Sequence, residues 1–514
     1  MKHLLKYSLV SALILGGAAC TNLDEELKGD FANNAKLQNP GVGVKNNVNK
    51  ATPSDGLSGA FSRVLNGTAN HGSYFSVQEI SSDEAVITQK GGDWFDGGIW
   101  LSMHKHQFSS TVGGINGAWN DTYTGIFQCN ELLANASISA GNKAQLRFLR
   151  AYFYWRLLDV FGRVKLAVST ADVPQSDRPT VYAFVESELL AAIPDLPAGK
   201  SDYGRANKSA ANALLSRLYL NANIYKGTAP DNADYDKAIA AADAVINSGL
   251  YSLSPEYKDV FSPANVENAE HIFVAPYDEV TGGGMNIAQM TLHYPSQLSY
   301  NLAQQPWNGY STMEEFYNSF ETADKRKAAN FIAGPQKDVS GNPILDLAFD
   351  KGDTDGPEIN YTPAINMLAP NGSRQAGARL GKFSFKLGQN PDMDNDFPLL
   401  RYAEVLLNKA EALCRKNGYG DATAATLVNQ VRTRAGVGAL TPLTAGTLLA
   451  ERGRELFIES LRRTDLIRFG AWGNAWWEKT AHADAYKILM PIPQEQINAT
   501  SGLGANKLTQ NPGY

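Results

Sequence analysis

The chain has 514 residues, 43% hydrophobic and 19% charged, with a formal net charge of −6. This composition supplies a sizeable core for one large or two medium domains and excludes a disordered chain. The acidic balance, with no long basic run, argues against nucleic acid as a partner. No stretch past the N-terminus approaches the roughly 18 continuous apolar residues of a membrane span.

Residues 1–19 read as a signal peptide. Lys2 and Lys6 form a cationic start, Leu9 to Leu15 a short apolar core, and Gly16 to Ala19 the small residues that a signal peptidase needs. Cys20 follows at the one position where a lipobox thiol is acylated, so lipidation on Cys20 and membrane anchoring are expected. An ordinary signal peptide with a nearby cysteine is the alternative. The acidic stretch 21–28 resembles an export tag for the outer face of an outer membrane, with a solvated tether as the plainer reading. Residues 20–50 are expected to be anchor and flexible tether, since 29–50 are rich in Asn and Gly with little periodicity. Residues 51–514 are read as a single domain.

Two blocks carry helical periodicity, at about 115–250 and 397–470. In the first, Leu146, Leu149, Phe153, Leu157 and Phe161 recur at spacings of three and four. Tyr152, Tyr154, Trp155 and Leu158 fill much of the remaining circumference, predicting a helix buried on several sides and stopped by Gly162. Further helices are predicted at 119–134, 180–193, 210–225 and 235–247, then at 399–415, 422–434 and 444–468. Such lengths with short turns predict a mainly α fold of stacked helix pairs, similar in logic to tetratricopeptide repeats but without their consensus. The segments at about 73–111 and 250–395 differ: glycines, prolines and scattered aromatics (Tyr294, Tyr300, Trp307, Tyr310) predict loops, short strands and short helices. Irregular insertions on a rigid frame suit ligand binding. Cys129 and Cys414 sit in apolar, helix-like surroundings and read as buried free thiols, with a disulfide left open.

Three segments carry a family resemblance: KAQLRFLRAYFYWRLLDVFGRVKL at 143–166, FPLLRYAEVLLNKAEAL at 397–413, and ERGRELFIESLRRTDLIRFG at 451–470 with MPIPQEQINAT at 490–500 and LTQNPGY at 508–514. Together they resemble the SusD/RagB family of outer-membrane nutrient-binding lipoproteins. The resemblance implies a tetratricopeptide-like scaffold whose insertions hold oligosaccharide, or sometimes peptide. It also implies a SusC-like TonB-dependent barrel as partner, a cell-surface location and no catalytic activity. Gly453 departs from the pattern; it costs about 1 kcal/mol of helix propensity, and close packing would explain it.

Glycan binding needs flat apolar rings beside placed polar groups. Trp94, flanked by Asp93 and Asp96 and bracketed by glycines, and Trp307, followed by Asn308 and Tyr310, are the expected stacking platforms, each with core filling as its alternative. Trp100 and Tyr310 come next, although Trp100 between Ile99 and Leu101 reads better as core. Asp83 and Glu84 are candidate acceptors or local structural groups. Arg379 is a candidate bidentate donor, with a structural salt bridge as the stronger reading.

An enzyme reading is not expected. Glu404 and Glu411, and the stripe Glu451, Glu455 and Glu459, are interleaved with Arg401, Arg454, Arg462 and Arg463, which describes ion-paired helix faces rather than a glycosidase pair. No metal or other cofactor is assigned. His104 and His106 read as structural histidines. The runs 392–396 and 350–358 resemble parts of a calcium loop but lack its glycine and final glutamate, so solvated loops are favoured over bound calcium.

Overall fold

The computed structural model describes residues 55–169, 171–280, 283–346 and 356–514. The signal segment 1–19, Cys20, the tether to residue 50 and most of the 350–358 loop lie outside the described residues. The described residues belong to one unit, Val48–Tyr514, and none of their helices is long and apolar enough to cross a membrane.

The frame consists of α1 (Gly113–Leu133), α2 (Ala140–Val160), α3 (Arg178–Ala192), α4 (Lys208–Leu220), α5 (Asn232–Ile246), α6 (Tyr402–Asn417), α7 (Ala422–Ala435), α8 (Ala445–Leu456) and α9 (Arg462–Arg468). Local chemistry starts many of them. Ser139, Asp177, Asn207, Asp231 and Asp421 each accept a backbone N–H of the first turn, and Thr444 with Thr447 forms a capping box. Each such cap stabilises its helix by about 1 kcal/mol. Successive frame helices pack on one another in chain order, α5 meeting α6 across the long insertion. As the periodicity predicts, α2 is buried nearly all round. Gly162 ends it with φ 69° and donates its N–H to Leu157 O at 3.0 Å.

Two predicted helices are corrected. Residues 397–401 form a strand, paired antiparallel with His271–Ala275, before α6 begins at Tyr402. The segment 444–468 is two helices, because Ile458 (φ 48°) and Ser460 (φ 59°) take the left-handed conformation between α8 and α9. The N–H groups freed there are taken by buried carboxylates: Ile458 N donates to Glu84 at 3.0 Å and Ser460 N to Glu79 at 2.7 Å. Gly453 is explained by packing, since a Cβ there would stand 2.7 Å from Arg462 Nη1 and 3.3 Å from Phe316.

The insertions are tied together by a short ladder. β1 (Ala85–Ile87) pairs antiparallel with β2 (Tyr310–Thr312), Ile87 opposite Tyr310 and Ala85 opposite Thr312. This pairing brings the chain that leaves β1 alongside the chain that enters β2. Trp94 and Trp307 lie on those two stretches. Cys129 and Cys414 are both buried and free.

Candidate functional site

The site is built from the loop after β1 and the loop before β2. Gly91, at φ 67°, turns the first loop so that Lys90 and Asp93 bond each other through their backbones. Trp94 follows at φ 59°, a left-handed conformation that a residue with a Cβ rarely adopts. Its indole Nε1 donates to Trp307 O at 2.6 Å. The ring lies against Gly309, where a Cβ would stand 2.4 Å from Trp94 Cζ2. The second loop is held from behind by backbone bonds of Trp307 to Gln289 O (2.7 Å), Asn308 to Leu292 O (2.9 Å) and Gly309 to Met290 O (2.8 Å). Trp94 is half-buried and Trp307 is 37% exposed, so both indoles reach solvent from one linked pair of loops.

Behind Trp94 stands a buttress of rings. His71 lies 5.0 Å from Trp94, 4.6 Å from Trp100 and 5.7 Å from Tyr310, with Nδ1 2.8 Å from the Tyr310 hydroxyl. Burial pushes His71 down to about 4, with Asp96 opposing, which keeps the imidazole neutral near pH 7. Tyr310 is fully buried, its hydroxyl also 2.7 Å from Ser76 Oγ, and Trp100 is buried with Nε1 donating to Asp96 at 2.8 Å. Tyr310 and Trp100 are therefore supports and offer no open face. Asp96 is exposed but engaged by Trp100, and Asn308 is fully buried at φ 57°.

Three further sequence candidates are placed elsewhere or in other roles. Asp83 holds Arg462 in a bidentate pair at 2.6 and 2.8 Å, while Glu84 is buried beneath the Ile458 turn, where burial raises its carboxyl well above the usual range. Arg379 is fully buried over the Tyr361 ring at 4.6 Å and donates to Arg374 O at 2.5 Å, with no carboxylate partner. The salt bridge expected for it is absent among the described residues.

The polar edge of the platform comes from residues that sequence reasoning passed over. Asp93 accepts from the Tyr294 hydroxyl at 2.5 Å and pairs with Arg374, whose guanidinium lies 5.6 Å from the Tyr294 ring. Burial would raise the Asp93 carboxyl, but the hydrogen bonds from Tyr294 and Arg374 outweigh it and hold the group below its ordinary value. Phe95, beside Trp94, is 48% exposed. The arrangement offers two indole edges and a phenol, next to a carboxylate and a guanidinium that can serve adjacent hydroxyls.

The carboxylates considered for catalysis are all buried in ion pairs. Glu404 holds Arg217 at 2.6 Å; Glu411 holds Arg468 at 2.7 Å; Glu451, Glu455 and Glu459 share Arg326, Arg401, Arg432, Arg434, Arg454 and Lys382. His104 ends a short helix rather than lying in a strand and bonds Trp477 O, and His106 bonds His482 and Ser81 O. Among the described residues no group of three or more His, Cys, Asp or Glu is placed to hold a metal. In the 392–396 run, Asp394 pairs with Lys386, Asp396 accepts from Tyr203, and Met393, Asn395 and Asp396 are buried, so it is not a solvated loop.

Comparison with known proteins gives the family. The model of the SusD family matches residues 269–514, and one described as starch-binding and associating with the outer membrane matches residues 62–220. Starch-binding protein SusD of Bacteroides thetaiotaomicron is 28% identical over 424 residues, covering 72% of each chain. SusD-like protein P38 of Formosa agariphila is 25% identical, covering 73% of each. Among solved structures, surface glycan-binding protein A of Bacteroides thetaiotaomicron in complex with laminarihexaose superposes with a TM-score of 0.69 at 22% identity, over 88% of this chain and 98% of that one. A SusD superfamily protein of Parabacteroides distasonis superposes at 0.70 with 22% identity, over 88% of this chain and 97% of the other. With its helical frame, its irregular insertions and both family models matched, the chain belongs to the SusD family.

Proposed function

We propose that this protein captures an oligosaccharide at the cell surface, on Trp94 and Trp307, and delivers it to a SusC-like TonB-dependent barrel for uptake. The observation that carries the reading is the coupling of the two indoles, Trp94 Nε1 to Trp307 O at 2.6 Å, with both rings reaching solvent. A sugar ring stacks its C–H face on an indole while Asp93 and Arg374 bridge neighbouring hydroxyls, and Tyr294 extends the apolar surface. The named relatives support glycan as the ligand class: one is called starch-binding, and one is solved with laminarihexaose. Delivery to a barrel and outer-membrane anchoring through Cys20 rest on the family resemblance and the lipobox. Capture rather than hydrolysis fits the engagement of every candidate carboxylate pair in buried ion pairs.

Because hydroxyl desolvation offsets much of the stacking gain, affinity of the isolated protein is expected to be micromolar or weaker, about −8 kcal/mol or less favourable. The test is a screen of the purified protein against poly- and oligosaccharides by affinity gel and calorimetry, with Trp94→Ala and Trp307→Ala alongside. Selective binding to one glycan class, reduced about ten-fold or more in each variant with folding intact, is the expected result. Unchanged binding in both variants removes the platform from the argument. No binding across a broad panel moves the ligand to a peptide or protein, and release of reducing ends would restore a glycoside hydrolase.

A further inference from the structure

Directly behind the platform two cations are buried without a carboxylate. Lys90 is 2% exposed, and its Nζ donates only to the carbonyls of Thr88 and Gly309, both at 3.2 Å. Arg379 is fully buried; Nη2 reaches Arg374 O, while Nε and Nη1 find no partner in the protein. Beside them Asn308, also fully buried, has neither its amide nitrogen nor its amide oxygen paired, and Gln289 Oε1 is unpaired as well.

Backbone connections tie these groups into one locus. Gly309, which takes the Lys90 ammonium on its carbonyl and the Trp94 ring on its open side, follows Asn308 directly. Asn308 N bonds Leu292 O; the next residue, His293, donates its N–H to the Tyr361 hydroxyl, and the Tyr361 ring lies under Arg379. Lys90 and Arg379 repel each other as like charges across this locus.

Buried polar groups are nearly always satisfied, and buried charges nearly always compensated. Carbonyls and an aromatic face satisfy part of the hydrogen-bonding need here but cancel neither charge. Water alone would complete the hydrogen bonds and leave both charges uncompensated. We propose that the polar floor behind Trp94 and Gly309 binds a small inorganic anion of the halide class, held by N–H groups of Lys90, Arg379 and Asn308. The anion braces the Gly309 segment against which Trp94 rests. This site does not depend on which ligand the platform takes.

The experiment uses the purified protein in sodium chloride, sodium bromide or sodium gluconate at constant ionic strength, gluconate being too bulky for the site. Wild type is expected to show a saturable rise in melting temperature with either halide. Crystals in bromide should give an anomalous peak between Lys90 Nζ and the Arg379 guanidinium. In Lys90→Met the halide concentration for half effect should rise at least ten-fold. Equal melting temperatures in halide and gluconate, or bromide only at exposed surface positions, would overturn the proposal. The bromide map of wild type decides the matter even where a variant fails to fold.

Discussion

Trp94 occupies a backbone conformation that costs a residue with a Cβ about 1–2 kcal/mol. Of the positions with positive φ among the described non-glycine residues, Trp94, Asp96 and Asn308 fall in or beside this one site. Strain of that kind persists only where surrounding structure over-determines it, and here the Trp307 carbonyl and the Gly309 face do so. A comparison of Trp94→Gly with Trp94→Ala separates strain from ring. Both should lose glycan binding, but the glycine variant should be more stable by about 1 kcal/mol in urea denaturation, because φ 59° suits glycine. Gly309→Ala makes the complementary point. It leaves every ring in the chain, yet its methyl would occupy the place of the Trp94 ring, so binding should fall about ten-fold or more. An unchanged affinity in Gly309→Ala would mean that Trp94 does not act from its present position. Trp94 and Trp307 were legible in sequence because turn residues bracket them. Tyr310 and Asp83 were not, since their burial and pairing depend on partners far away in the chain. The same holds for the missed edge, where Arg374 and Tyr294 meet Asp93 from positions 281 and 201 residues distant.

At the scale of elements, helical periodicity located the frame well and failed where tertiary contacts outweigh it. The stretch 397–401 has a helix-compatible pattern, but His271–Ala275 offers it a ladder, and all five residues are buried as a strand needs. The break between α8 and α9 has no glycine or proline to announce it. It exists because Glu79 and Glu84, almost four hundred residues earlier, accept the N–H groups of Ser460 and Ile458. Burial pushes the Glu79 carboxyl up to about 8. The unfolded chain releases that proton near 4.5, so the Glu79 contribution to stability is complete below about pH 4.5 and declines as pH rises to about 8. Glu79→Gln keeps an acceptor for Ser460 N and removes the titration. Its melting temperature relative to wild type should therefore be higher at pH 8 than at pH 5, by a few degrees. A difference between variant and wild type that is the same at both pH values would show that Glu79 is ionised in the fold.

For the whole molecule, the question is how an irregular binding surface stays registered on a helical frame. Arg401 answers much of it. Only 1% exposed, it bonds Glu459 at 2.6 and 2.7 Å, Glu455 at 2.8 Å and Glu270 at 3.1 Å, and donates to Glu455 O at 2.7 Å. One guanidinium thus joins the end of the 397–401 strand, the entry to its partner strand, helix α8 and the break that follows it. The neighbouring carboxylates also hold Arg326, Arg434 and Lys382, so the network is compensated only as a whole. Removing one member of such a buried network costs about 3–5 kcal/mol, because the remaining carboxylates stay buried with less positive charge. Arg401→Met should therefore lower the melting temperature by about 5 °C in a protein of this size. None of the platform residues touches Arg401, and Trp94 and Trp307 are held by their own local bonds. Glycan affinity at 25 °C should consequently stay within about two-fold of wild type. A variant that keeps its melting temperature would show that the network is dispensable to the frame. One that loses binding while still folded would show that platform and frame are coupled more tightly than their local bonds require.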